Sequence, residues 1–148
     1  MAEEGARELK FDIASLEAYL AEIFPQGLEL YHTEELGPMS ARVRLVYDDR
    51  QLRPGGTISG PAMMGLADCA FYYALLAQIG KVPLAVTTNL NINFLRKPGP
   101  TNLIADARIL KLGRLLATGD VMLFSDGVPQ PIAHATMTYA IPPGHHVS

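Results

Sequence analysis

The 148-residue sequence lacks features that several protein classes require. It contains one cysteine, Cys69, which excludes a disulfide framework within the chain and is typical of a reducing compartment, so we expect a cytoplasmic protein. It has no excess of basic residues, and its net charge of −3 argues against nucleic acid as a partner. The acidic start MAEEGARELKFD contains no apolar segment of the kind that forms a signal peptide.

The sequence also contains no apolar run long enough to predict a membrane span. The longest stretch, residues 62–77, includes the charged residue Asp68 and is shorter than the roughly 20 residues that a bilayer requires, so we expect no membrane partner. With 49% hydrophobic and 18% charged residues, the composition is that of a globular protein. The length predicts one domain over residues 1–148, with flexible ends at about residues 1–10 and 142–148.

Hydrophobic periodicity predicts an α+β fold. Residues 15–24 show the spacing of an amphipathic helix, whereas residues 60–80 are apolar on nearly all sides, which indicates a long helix buried in the core. An antiparallel sheet wrapped around this central helix is the arrangement that we expect. Its strands are predicted at six places: residues 28–36, 40–47, 84–95, 103–110, 115–124 and 132–141.

Asp68 is the one charged residue of the predicted core helix, which begins at Ser59-Gly60-Pro61 after a Gly/Pro-rich loop. Burying an unpaired carboxylate is costly. Asp68 is therefore either a carboxylate that backbone or hydroxyl groups satisfy, or a functional acid. Isolated aspartates inside helices are uncommon and perturbed carboxylates cluster at functional sites, which favours the second interpretation.

Four segments together resemble a known family. RPGGTISGPAMMGLAD, AVTTNLNINFLRKP, LKLGR and PIAHATMTYAI follow one another with the order and spacing of the hotdog-fold acyl-CoA thioesterases of the phenylacetate-degradation (PaaI-like) type, over about residues 28–141. The resemblance implies a hotdog fold and an aromatic or short-to-medium acyl-CoA as substrate. It also implies a homodimer or homotetramer and no separate cofactor, since coenzyme A enters as part of the substrate.

The resemblance assigns three catalytic positions. Asp68 corresponds to the family's acid, which acts as a general base or as a nucleophile, and Gly60 lies at the helix start, where free N–H groups stabilise an oxyanion. Thr87 corresponds to the hydroxyl residue that holds the attacking water; the alternative is an ordinary strand threonine. Strand alternation places Thr87 on the face opposite Leu90 and Ile92.

The loop before the helix both matches and departs from the family. Gly56 matches its loop glycine, but Ser59 replaces a histidine and Arg53 replaces an asparagine. Ser59 is either a plain N-cap or a pocket residue, and Arg53 either binds a carboxylate or phosphate or forms a salt bridge to Asp48 or Asp49. Four basic residues are expected at the mouth of the coenzyme A groove: Arg96, Lys97, Lys111 and Arg114. The alternative is that they are solvated charges in turns.

Helix geometry implies that one chain does not complete the site. At a rise of about 1.5 Å per residue, Asp68 lies roughly 12 Å along the helix axis from Gly60, so both cannot act on one carbonyl. The acid must therefore meet the oxyanion site of another subunit. No metal site is predicted, because the adjacent His145 and His146 lack a third ligand at recognisable spacing.

Two other functions are compatible with the sequence. Related hotdog proteins include enoyl-thioester hydratases, which typically pair a histidine with an acid, and no histidine lies in the central helix or its loop. A non-catalytic domain that binds acyl-CoA or another small molecule is the second alternative, because the replacements at Arg53 and Ser59 favour lost activity.

Overall fold

The structure, a computed structural model, describes residues 8–143. Residues 8–143 contain two α-helices, α1 (Ile13–Ile23) and α2 (Gly60–Ile79). Of the predicted flexible ends, residues 1–7 and 144–148 lie outside the described range, as do both C-terminal histidines. Lys10 is described, and its N–H donates to the carbonyl oxygen of Ala77 at 2.7 Å, which ties this part of the N-terminal segment to α2. The strands are β1 (Tyr31–Gly37), β2 (Ser40–Leu45), β3 (Leu52–Arg53), β4 (Thr57–Ile58), β5 (Val86–Phe94), β6 (Leu103–Leu112), β7 (Leu116–Ser125) and β8 (Pro131–Ala140).

Helix α2 is the centre of the core, as its uniform apolar character predicts. Ser59 is its N-cap, since its side chain accepts a hydrogen bond from the N–H of Ala62, and Gly80 ends it at a φ of +96°. Helix α2 is long and apolar enough to cross a membrane by length and composition alone. The sequence-based expectation considered only the shorter stretch 62–77 and did not predict this. However, 72% of the relevant window is buried within the fold, as expected of a core helix.

Six antiparallel strands form one sheet that packs on α2, with the order β1-β2-β6-β7-β8-β5. This confirms the predicted α+β hotdog architecture, an antiparallel sheet around one long helix. Close packing at the centre depends on Gly119 of β7, where a Cβ would lie 2.7 Å from the ring of Phe71 on α2. Strand β5 is an edge strand: among the described residues it is hydrogen-bonded on one side only, to β8.

The sequence-based prediction was wrong in two loops. Residues 25–29, PQGLE, form a 3-10 helix that begins at a proline, so the first strand starts at Tyr31 instead of residue 28. Residues 52–58 are a short hairpin of β3 and β4 instead of an irregular loop. Gly55 and Gly56 occupy its turn at positive φ, +101° and +76°, a conformation that glycine adopts without strain.

A β-bulge in β5 reverses one predicted side-chain direction. The register with β8 shifts between Thr87 and Asn89, so that Thr87 lies opposite Tyr139 while Leu90 lies opposite Met137. Simple alternation placed Thr87 on the face opposite Leu90. The extra residue instead brings Thr87 onto the inner face of the sheet, towards α2.

Candidate active site

Asp68 lies on the side of α2 that faces the start of β5 and the end of β8. Its Oδ1 accepts two hydrogen bonds, from the Thr87 hydroxyl at 2.5 Å and from the Tyr139 hydroxyl at 2.7 Å. The side chain is half-buried and reaches a pocket. The cost of burying this carboxylate is thus offset by two hydroxyl donors, while one side stays accessible to a ligand.

The pocket beside Asp68 is an open cleft with a volume of about 420 Å³, lined mainly by aromatic and aliphatic side chains. The side chain of Phe24 at the end of α1, Tyr31 of β1 and Tyr72 of α2 contribute to its walls. The Tyr72 hydroxyl donates to the carbonyl oxygen of Pro83 at 2.9 Å, which leaves its ring as the pocket surface. Such a pocket suits an apolar group attached to a reactive polar one.

Burial controls the protonation of the groups around Asp68. Desolvation, followed by the negative charge of Asp68, raises the pKa of Tyr139, so this phenol remains protonated and available as a donor. Burial likewise raises the pKa of Tyr72 to about 12 and that of the Cys69 thiol to about 12. Cys69 is therefore a protonated, buried thiol and not a thiolate nucleophile.

Gly60, the predicted oxyanion residue, lies at the other end of β5. A Cβ on Gly60 would be 3.4 Å from the ring of Phe94, the last residue of that strand. Among the first N–H groups of α2, that of Ala62 is bound by Ser59 Oγ at 3.2 Å, and Pro61 has none. The N–H of Gly60 has no acceptor among residues 8–143 and remains available at the positive end of the helix.

The structure does not pair Arg53 with Asp48 or Asp49. Asp48 instead binds Arg50 at 2.8 Å, which lowers the pKa of Asp48 to about 2, and Asp49 accepts from the Tyr47 hydroxyl at 2.5 Å. Arg53 is exposed on the β3–β4 hairpin and forms no ion pair with any residue of the described range. The salt-bridge alternative is therefore wrong, and the ligand-binding alternative is the one still open.

The four basic residues predicted for one groove lie at two ends of the sheet. Thr87 is aligned through β8 and β7 with Leu112, so Lys111 and Arg114 lie at the Asp68 end. Arg96 and Lys97 follow Phe94 at the opposite end of β5, and Phe94 itself is about 24 Å from Thr87 at about 3.4 Å per residue. Arg96 donates to the carbonyl oxygen of Pro131. A single chain does not gather these four residues.

Sequence reasoning did not identify Tyr139 or the aromatic walls of the pocket. Tyr139 is separated from Asp68 by 71 residues, and its position in an alternating strand is typical of core packing. The sequence position of Tyr139 could have indicated its role, because it lies near the end of β8, beside the start of β5 in an antiparallel sheet. No group of three or more His, Cys, Asp or Glu side chains suited to a metal ion occurs within residues 8–143.

Comparisons with known proteins agree with this fold. A family model described as the thioesterase superfamily matches residues 55–132, which include Gly60, Asp68 and Thr87 but not Arg53 or Tyr139. The class defined by the fold and the family is that of hotdog proteins that hydrolyse acyl thioesters. The match covers more than half of the sequence, and the chain belongs to the thioesterase superfamily. No match was found among functionally curated proteins.

Solved structures extend the similarity over nearly the whole chain. A candidate thioesterase from a Silicibacter species is 49% identical, with a TM-score of 0.86 over 93% of this chain and 96% of that one. The phenylacetic acid degradation protein PaaI of Thermus thermophilus, in a mutant form, is 27% identical, with a TM-score of 0.69 over 80% and 99%. The E. coli PaaI protein, at 19% identity and a TM-score of 0.77 over 92% and 96%, shows the shared fold.

Proposed function

We propose that this protein is an acyl-CoA thioesterase in which Asp68 of one subunit and Gly60 of a second subunit act on the same thioester. The observation that supports this most directly is the placement of the two groups at opposite ends of β5. Asp68 is hydrogen-bonded to Thr87 at the start of the strand, and Gly60 lies against Phe94 at its end. When two copies of β5 pair antiparallel, the start of one strand lies beside the end of the other.

Strand β5 has the features of an edge that a second copy covers. Its outer side carries backbone groups that no strand of residues 8–143 pairs with, and the apolar side chains at its ends are about half exposed, Val86 at 56% and Phe94 at 49%. In a two-fold pair centred on Asn91, paired residues face the same side of the sheet, and the bulge between Thr87 and Asn89 places the partner's Phe94 beside Thr87. The partner's Gly60 then faces Asp68, and both sites of the dimer are complete.

The same pairing explains the distribution of basic residues. The partner's Arg96 and the partner's Lys97 arrive at the end of the sheet that already carries Lys111 and Arg114. Arginine and lysine side chains at the mouth of a site bind phosphate groups, which coenzyme A supplies. The dimer therefore brings together the basic residues that a single chain separates.

The pocket supports an aromatic or short-to-medium acyl group. Its aromatic walls offer apolar surface beside Asp68, and a volume of about 420 Å³ accommodates a group of that size. The names of the similar PaaI proteins refer to phenylacetic acid degradation, which agrees with an aromatic acyl group.

In the proposed reaction Asp68 acts as a general base on water held near Thr87. A water proton passes to the carboxylate while the water oxygen bonds to the thioester carbon, and the N–H of the partner's Gly60 stabilises the oxyanion. Collapse of this intermediate breaks the carbon–sulfur bond. The departing thiolate takes the proton from Asp68, which yields the free acid and coenzyme A.

Thiol release from a panel of acyl-CoAs, aromatic and straight-chain, tests this function. Asp68→Asn removes the base but keeps its size, so we expect kcat to fall by about 10²- to 10⁴-fold without loss of the fold. Asp126→Asn is a matched control, since Asp126 is exposed and pairs with Arg44 on the outer face. Hydrolysis that survives Asp68→Asn unchanged would remove Asp68 from the mechanism. An acyl adduct on the Asp68 peptide in quenched single turnovers would indicate the nucleophilic route instead.

The same panel separates the alternative functions. Binding of coenzyme A without release from any substrate would indicate a non-catalytic domain, and loss of enoyl absorbance without thiol release would indicate a hydratase. The pocket beside Asp68 is lined by no histidine of the described range, whereas the related hydratases pair a histidine with their acid. This composition favours hydrolysis.

A further inference from the structure

Tyr139 and Thr87 bind the same oxygen of Asp68. The Tyr139 hydroxyl lies 2.7 Å from Oδ1 and 3.1 Å from the main-chain oxygen of Asp68, and the Thr87 hydroxyl lies 2.5 Å from Oδ1. The other carboxylate oxygen, Oδ2, receives no hydrogen bond from any of residues 8–143. The two oxygens of one carboxylate are thus in different environments.

Packing holds Tyr139 in place. The residue is 3% exposed, and its ring lies against Phe71 and Tyr72, with centroid separations of 5.4 and 6.0 Å. In the β5–β8 pair it is directly opposite Thr87, so two neighbouring strands present their hydroxyls to one atom. Donors on a packed sheet hold a carboxylate more firmly than donors on a loop.

We propose that Tyr139 is a positioning residue that, with Thr87, fixes Oδ1 of Asp68 and leaves Oδ2 as the oxygen that takes the proton from water. The terminal torsion of an aspartate is broad, so an unheld carboxylate samples many orientations, only some of which place a lone pair on the attacking water. Two donors on one oxygen restrict this rotation before the substrate binds. The inference rests on the proposed thioesterase activity and adds a residue that the family match does not include.

Tyr139→Phe tests the proposal because it removes the hydroxyl and keeps the ring that forms the pocket wall. We expect kcat to fall 10- to 100-fold with KM within about twofold of wild type, since ground-state binding of the acyl group is unchanged. Tyr47→Phe is the matched control: it removes another tyrosine-to-aspartate hydrogen bond, that to Asp49, away from the pocket. Unchanged kcat in Tyr139→Phe, or a raised KM at constant kcat, would overturn the proposal.

The Asp68→Asn background separates positioning from general structural support. If Tyr139 acts through Asp68, adding Tyr139→Phe to Asp68→Asn leaves the residual rate unchanged; a further loss of the same size as in wild type would contradict the proposal. Thr87→Val removes the second donor and gives an independent measurement if Tyr139→Phe does not fold. We expect it to lower kcat, with the double variant approaching the rate of Asp68→Asn; wild-type kcat in Thr87→Val would contradict this.

A stability cycle gives a readout that needs no activity. Tyr139→Phe should lower the unfolding midpoint of the wild-type protein and lower it less in Asp68→Ala, because the hydroxyl then has no carboxylate to bind. Equal effects in both backgrounds would contradict the hydrogen bond. Absence of thioesterase activity in the wild-type protein together with this coupling would refute the proposed function and leave the hydrogen-bonded contact between Tyr139 and Asp68 established.

Discussion

The guanidinium of Arg53 is exposed beside the glycine turn at residues 55–56, close in sequence to the start of α2. The neighbouring acids are already bound, Asp48 by Arg50 and Asp49 by Tyr47. At the scale of single residues, this leaves Arg53 as a cation without an internal partner in the described range. A guanidinium in this position suits a phosphate or carboxylate of the ligand, which the asparagine of the related thioesterases does not.

Arg53→Gln should therefore weaken binding of the nucleotide part of acyl-CoA. We expect KM to rise about 3- to 10-fold, because one charge-assisted contact at an exposed rim is lost, and kcat to stay nearly constant. For the matching acyl-pantetheine, which has no nucleotide, KM should not change. Arg50→Gln is the control, since Arg50 is occupied by Asp48. An equal rise in KM for both substrates would contradict this role.

At the scale of elements, β5 connects the two halves of the proposed site. Its first residues contact the acid and its last residue contacts the helix start, so the length of the strand separates groups that must act together. The bulge near Thr88 turns the Thr87 hydroxyl inward while the rest of the edge stays open. A strand with one side unpaired provides the pairing surface that the proposed dimer needs.

Phe94→Asp should weaken the dimer, because it places a charge on the half-exposed apolar end of β5. Burial of one phenylalanine contributes about 1.5–3 kcal/mol, and a symmetric dimer buries two of them. We therefore expect the dissociation constant to rise by about 10²-fold or more. Met122→Asp makes the same kind of change on the central strand β7 and should leave the dimer intact. Sedimentation velocity measures both; a dimeric Phe94→Asp protein would contradict pairing through β5.

The elements differ in how much of them the sequence predicts. Local signals fix α2 almost to the residue, since Ser59 and Gly80 are typical cap residues, and the strands of β6 to β8 are punctuated by clear turns. The bulge in β5 was not predictable from alternation, because it is a shift in the register with β8, which only the folded sheet defines. The role of Tyr139 was not predictable either, because a contact over 71 residues depends on the strand order.

At the scale of the whole molecule, the proposed dimer has two equivalent sites, each with an acid from one chain and an oxyanion donor from the other. Asp68 and Gly60 lie about 12 Å apart along one helix, which prevents a chain from using its own pair. Assembly and activity are then linked, because a monomer retains the pocket and loses the oxyanion donor. The predicted absence of activity in a monomer follows from geometry and not from loss of the fold.

The activity of mixed dimers shows whether each site is built from two subunits. Asp68→Asn removes the acid, and Gly60→Val blocks approach to the oxyanion donor, so each homodimer should be inactive. After unfolding and refolding at equal concentrations, about half of the dimers contain one chain of each kind, and each of these has one intact site. A site shared between subunits should therefore restore about a quarter of the wild-type rate of thiol release. A mixture as inactive as its two components, with mixed dimers demonstrated by mass spectrometry, would show that both groups act within one chain and contradict the shared site.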